Sequence, residues 1–288
     1  MQCVERGLLS LDDPIGKVLP EWTSPDLLTG FDEDGKPILK KARKTVTLRH
    51  LLTHSAGMGY AGFNQQLQLY LKAIGKEGKF PQKSIKDDFC LPLLYEPGDG
   101  WEYSCSIDWA GQMVERVNGG IRLDEYMRKN IWEPLGITLT TFRPSENPGV
   151  KERLIGRPFR TPEGVLIPEA PDVGMFPVRE PDDDYGGGGL FSCAKDYIKI
   201  VSSLLLDDGK LLKSETIEEL FSPQLEDNKY IQAVMDVPEA AQLLAPSFGV
   251  GVKWNYALGG AVALDGVQGR ADAGMMYWAG LPNSYWVS

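Results

Sequence analysis

Leu93-Leu-Tyr-Glu-Pro-Gly-Asp-Gly-Trp-Glu-Tyr-Ser-Cys-Ser-Ile-Asp-Trp-Ala-Gly111 passes from an apolar pair through a turn into a helical pattern, with a tyrosine at the junction. Pro97-Gly98 signals the turn, because proline presets φ and glycine accepts positive values. Ile107, Ala110, Gly111 and Val114 then recur at helical spacing, and Ser104 or Ser106 is placed to cap that helix. Tyr103 thus stands just before a helix start, where its phenol can point into a cleft at the positive end. A nearby ammonium and the helix dipole would favour phenolate there, making a general base. Taken alone, the position also suits a packed ring with a satisfied hydroxyl.

Working outward, helical patterns fall at roughly 47–54, 64–74, 105–117, 123–133, 193–206 and 214–221. Strand-like runs gather late, at about 248–256, 261–265, 274–279 and 284–288, the last two joined by a turn at Pro282-Asn283. Residues 142–190 are rich in proline and glycine and read as an irregular, substrate-facing excursion. Late antiparallel strands after earlier helices define an α+β layout, not alternating βαβ units. Met1–Arg6 followed by Gly7 reads as the last turns of a helix, too short to stand alone, and the far end stops within a hairpin. The expectation is a chain truncated at both ends.

The totals exclude several classes. At 288 residues with 42% apolar and 24% charged, the chain can bury a sizeable core. A net charge of −10 disfavours nucleic acid as a partner. No uninterrupted apolar run approaches the ~18 residues of a membrane span, so no membrane is expected. The basic stretch Lys40-Lys41-Ala-Arg43-Lys44, beside Asp32-Glu33-Asp34, reads as a solvated connector. Cys3, Cys90, Cys105 and Cys193 are widely spaced, which suits free thiols in a reducing compartment. With no secretory signal in MQCVERGLLS, the expected location is the cytoplasm.

One Ser-x-x-Lys occurs, Ser192 to Lys195 within FSCAKDY, the spacing that sets a serine nucleophile beside its lysine base. On a helical wheel Ala194, Tyr197, Ile198, Val201, Leu204 and Leu205 form an apolar stripe, with Lys195, Lys199 and Ser202 opposite. A base lysine must be desolvated, and a water-facing one is not. Ser192 therefore reads as a helix N-cap and a decoy. Gly186–Gly189 lacks the Lys-Ser/Thr of a phosphate loop and follows Asp182-Asp183-Asp184, so a flexible turn is expected. His50 and His54, four apart, could share a metal. Leu51 stands where a zinc hydrolase carries Glu, so packing and hydrogen bonding are favoured, with a serine–histidine dyad left open.

Taken together, VERGLLSLDDPIGKVLPEW (4–22), VTLRHLLTHSAGM (46–58), LLYEPGDGWEYSCSIDWAG (93–111), YGGGGLFSCAKDY (185–197) and YWAGLPNSYW (277–286) resemble the serine β-lactamase-like superfamily. That group holds class C β-lactamases, penicillin-binding-protein-like esterases and the transesterases that acylate lovastatin-type polyketide alcohols. The segments keep the family's order along nearly the whole chain, and those around Tyr103 and Trp278 look closest to the transesterases.

The resemblance implies an antiparallel sheet flanked by helices within a single domain over 1–288, with a mostly helical or irregular lobe at about 47–190 and an α/β lobe at about 191–288. It implies covalent acyl transfer or ester hydrolysis, on a small ester or thioester of secondary metabolism, with an acyl-carrier protein as candidate donor and no metal or organic cofactor. Tyr103 matches the family's catalytic tyrosine, and Cys105 replaces the family's asparagine two residues on. Trp278-Ala279-Gly280 stands where β-lactamases carry Lys-Thr-Gly, which disfavours substrates bearing a carboxylate. The N–H of Leu281 or Gly280 would be one oxyanion donor. In this family the nucleophilic Ser-x-x-Lys opens the helix that ends at VERGLLSLDDP, so the pair projects before Met1. A noncatalytic relative that keeps the cleft, and least of all a metal hydrolase using His50 and His54, are the alternatives.

Overall fold

The computed structural model describes residues 1–76, 84–156, 159–161, 163–167, 180–245, 247–280 and 284–287. A short helix α1 (Gln2–Glu5) leads to a hairpin of β1 (Asp26–Phe31) and β2 (Pro37–Lys41). Helices α2 (Leu48–Leu52), α3 (Gln65–Ala73), α4 (Ile85–Phe89) and α5 (Ser106–Val117) follow. Next come α6 (Leu123–Met127), continued by a wider turn over Arg128–Trp132 into α7 (Glu133–Leu135), then α8 (Pro148–Lys151) and a minimal hairpin β3 (Phe159–Arg160) and β4 (Leu166–Ile167). Helices α9 (Ala194–Leu205), α10 (Ser214–Phe221), α11 (Lys229–Met235) and α12 (Pro238–Leu244) precede an antiparallel sheet. Its strands β5 (Trp254–Tyr256), β6 (Ala261–Ala263), β7 (Met276–Gly280) and β8 (Ser284–Val287) are ordered as in the chain.

Local chemistry explains the elements that frame the tyrosine. Thr47 accepts from the His50 N–H at 3.2 Å while the His50 ring accepts from the Thr47 N–H at 3.2 Å, a reciprocal cap that starts α2 with histidine in the place usually held by Glu or Gln. Asn64 starts α3 by accepting from the N–H groups of Gln66 and Leu67. Helix α5 buries Trp109, Ala110 and Met113. Trp109 meets Trp22 edge to face at 5.3 Å and donates its indole N–H to the Phe89 carbonyl, anchoring a core that also takes in Leu51, Leu93 and Tyr185. A second core lies between α11, α12 and the sheet, built on Trp101, Ile231, Met235, Trp254, Tyr256 and Tyr277. Gly57 ties the α2 exit to the segment before Tyr103. Its carbonyl accepts the Leu94 N–H at 2.7 Å, its φ is +86°, and a β-carbon there would lie 2.3 Å from the Tyr95 carbonyl oxygen. Only glycine fits.

Several sequence expectations change. Lys40 and Lys41 are not a connector: they lie in β2, register Leu27↔Lys40 and Asp26↔Lys41, while Leu93 bridges the far side of β1. Arg43 and Lys44 donate backbone N–H groups to buried Glu96. The start of α5 is Cys105 with no side-chain cap, because Ser104 and Ser106 bond each other at 2.7 Å. Likewise α9 starts at Cys193, and Ser192 pairs with Thr140 at 2.8 Å. The apolar stripe of α9 is only partly inside: Val201 is buried, yet Ala194, Ile198 and Leu205 are exposed, and Asp196 turns inward instead. Its carboxylate accepts the N–H groups of Thr138 and Leu139, satisfying a chain turn that a wheel cannot see. Nor does the glycine run hang free. Buried Asp184 ion-pairs with Arg122 and Arg143 and accepts the Asp124 N–H, while Gly187 donates to Asp108. The Pro282-Asn283 turn and part of the 142–190 stretch lie outside the described residues. Among the described residues no helix is long and apolar enough to cross a membrane.

Candidate active site

Tyr103 sits half-buried between the Gly100 turn and α5, where the two cores meet. Its ring touches His54 (5.0 Å between centroids), Trp278 (5.3 Å), Tyr60 (5.6 Å) and Phe63 (6.5 Å). Trp278 lies on β7, two residues before that strand reaches the surface at Gly280. The fold therefore brings together Tyr103 and Trp278, which are far apart in the chain. Leu281 lies outside the described residues.

The phenol is not held as phenolate. Burial raises the Tyr103 pKa above its ordinary value, the Trp278 indole draws it down, and the Asp108 carboxyl pushes it up again. In the surroundings described, Tyr103 is a protonated phenol; a cation at the ring would be needed to turn it into a base.

Beneath it, Tyr60 donates to Asp108 at 3.1 Å and Gly187 donates to the other carboxylate oxygen at 2.8 Å. Asp108 fills the space a β-carbon of Gly187 would need, at 2.9 Å. Burial pushes its carboxyl up to about 7, against the pull of those two donors. Glu102, on the other flank, accepts from Asn64 at 3.1 Å, and burial raises its pKa as well. Cys105 points away, donating weakly to the Gly59 carbonyl at 3.7 Å, and burial raises its thiol far above the ordinary range. It is an inert core thiol.

The histidines serve the scaffold. His50 caps α2, and burial lowers its pKa. His54, 2% exposed, is held down to about 3 by burial, and its Nδ1 accepts the backbone N–H of Ser104 at 3.2 Å with the Ser104 hydroxyl at 3.1 Å. A histidine–serine pair does form, but Ser104 is buried and so weak a base cannot activate it. Ser192 and Lys195 are both exposed. Among the described residues no group of three histidine, cysteine or carboxylate side chains is arranged to hold a metal ion. Sequence reasoning did not single out Trp101, Tyr256, Tyr60 or Asp108. The density of aromatic residues around Trp101-Glu-Tyr103 was the available signal.

The helices, the antiparallel sheet β5–β8 and the tyrosine facing its third strand together match the β-lactamase/transpeptidase-like fold. The Beta-lactamase family model matches residues 1–287, and the chain belongs to that family. It is 37% identical to the acyltransferase calJ of Penicillium decumbens, over 99% of this chain and 68% of that protein. It is 34% identical to a lovastatin esterase of Penicillium rubens, over 97% and 70% of the two chains. In structure it is similar to a LovD6 mutant of simvastatin synthase from Aspergillus terreus, with a TM-score of 0.87 and 34% identity over 99% of this chain and 69% of that one.

Proposed function

We propose that this chain carries the tyrosine and oxyanion side of a serine acyl-transfer site. The observation that carries this reading is the contact of Tyr103 with Trp278 beside the exposed end of β7 at Gly280. On this reading a serine and lysine from polypeptide preceding Met1 complete the centre, and the lysine ammonium supplies the cation that Tyr103 lacks. Tyr103 then takes the serine proton as Oγ bonds to the ester or thioester carbonyl carbon, and an N–H at Gly280 or Leu281 stabilises the oxyanion. Collapse breaks the bond to the leaving alcohol or thiol, which receives that proton from Tyr103. A small alcohol or water next attacks the acyl-serine and gives its proton to Tyr103; collapse of this second tetrahedral species breaks the acyl–Oγ bond, and Tyr103 returns the proton to the serine oxygen.

That one relative is named an acyltransferase and another a lovastatin esterase supports both outcomes, and the second name supports a secondary-metabolite ester as substrate. An apolar Trp278 where β-lactamases have lysine favours neutral acyl groups over anionic β-lactams. An acyl-carrier protein fits as donor on the same reading. In the protein extended to include the upstream pair, Tyr103→Phe should lower ester turnover by about 10²–10⁴-fold, the usual worth of a general base. Unchanged turnover would refute it. A second reading, a noncatalytic acyl-binding relative, is favoured by the protonated phenol and the exposed Ser192 and Lys195. Covalent labelling by a fluorophosphonate separates the two, and loss of labelling in Ser192→Ala would reinstate Ser192 as nucleophile.

A further inference from the structure

We propose that His54 is a positioning residue that locates Tyr103 and aligns it with β7. The backbone on both sides of Tyr103 hangs on this one residue. The His54 carbonyl accepts the Glu102 N–H at 3.0 Å, and its Nδ1 accepts the Ser104 N–H at 3.2 Å. The Tyr95 hydroxyl adds a third bond, to the same carbonyl at 3.3 Å. The imidazole then packs on the Tyr103 ring at 5.0 Å and lies nearly parallel to Trp278, 22° between planes at 6.3 Å. One side chain thereby references the phenol to the strand that ends at Gly280.

Two further observations point the same way. His54 has φ +56°, a left-handed conformation that costs a residue with a β-carbon about 1–2 kcal/mol and persists only where the surroundings over-determine it. The other described non-glycine residue with positive φ, Asp207, lies in the turn after α9. Because Nδ1 accepts a backbone N–H, the ring proton resides on Nε2 and the imidazole is neutral. It therefore acts by shape and hydrogen bonding, with no proton transferred.

The inference rests on reading Tyr103 as the proton acceptor, and its test has a readout independent of turnover. His54→Asn keeps an acceptor near the Nδ1 position and tolerates positive φ, while losing the ring; His54→Ala loses both. Tyrosine absorbance titration, with Tyr103→Phe subtracted to isolate the Tyr103 component, should show the phenol titrating at lower pH in both variants as water reaches it, most in His54→Ala. In the extended protein, kcat for a p-nitrophenyl ester should fall by about 10²-fold in His54→Ala, the cost of an ångström-scale misplacement. KM should change little, and the limb of the pH–rate profile set by Tyr103 should move to lower pH in step with the titration. A folded His54→Ala protein with the wild-type Tyr103 titration would overturn the proposal; if that variant does not fold, His54→Asn decides by the same criterion. If Tyr103→Phe keeps full turnover, the acyl-transfer role of Tyr103 falls, while the titration still decides whether His54 positions it.

Discussion

Replacing Asp108 by asparagine should change how stability depends on pH, by an amount the structure lets us work out. The carboxyl is enclosed, with Gly187 and Tyr60 as donors, and burial lifts its pKa from the ordinary 3.8 to about 7. Between those values the folded protein keeps a proton that the unfolded chain has released. Stability is therefore fully present below pH 3.8, declines as pH rises towards 7, and is flat above it. At ~1.4 kcal/mol per pKa unit the whole window is worth about 4 kcal/mol, of which about 2–3 falls between pH 5 and 7. His54 works in the opposite sense. Burial lowers its pKa from 6.5 to about 3, so the unfolded chain binds a proton that the folded protein refuses, and stability is lost as pH falls below 6.5. By pH 5 that loss is about 2 kcal/mol. The two contributions nearly cancel in the wild type from pH 5 to 7. Asp108→Asn removes this offset to His54, so on going from pH 7 to 5 the variant should lose about 2–3 kcal/mol relative to the wild type. Urea unfolding at pH 5, 6, 7 and 8, analysed with a common m value, measures the difference. Parallel stability curves for the two proteins would refute the assignment of Asp108 as the group that titrates near neutrality.

Other expectations follow from single contacts. Gly57→Ala should cost about 2–5 kcal/mol, from a left-handed backbone and a β-carbon driven into the Tyr95 carbonyl, read as a drop in the urea midpoint. Asp184→Asn leaves Arg143, itself largely buried, without its carboxylate and should cost about 3–5 kcal/mol; thermal unfolding tests it, and a change under 1 kcal/mol would show the pair to be dispensable. Trp109→Ala should cost about 3–5 kcal/mol by emptying the space against Trp22, as measured in the same way. In the native protein a thiol reagent should modify exposed Cys90 first and leave Cys3 and Cys105 untouched until unfolding.

Much of the framework was legible because its cause is local. The period of Ile107, Ala110 and Val114 sets α5 at Ser106–Val117, and the late apolar runs return as β5 to β8. The β1–β2 hairpin escaped because its pairing shields few apolar side chains, chiefly Leu27 and Leu28, and is completed by Leu93, more than sixty residues away. Charged Lys40 and Lys41 on an exposed edge look like a linker until the partner strand is known. In α9 the wheel found an amphipathic helix but misjudged which side faces inward, since Asp196 is buried to satisfy N–H groups at Thr138 and Leu139.

The same divide runs through the candidate site. Residue order alone determined the α+β class, the helix after Tyr103 and the family resemblance, because turn chemistry and apolar period act within a few residues. Only the tertiary structure decided that Trp278 faces Tyr103, that His54 brackets the tyrosine from both sides, and that Asp108 lies beneath it. The contacts behind those relations join segments 48 to 175 positions apart, and so does the desolvation that raises one carboxyl and lowers one imidazole. Burial is a property of what packs around a group, and a linear string carries it only through the fold it specifies.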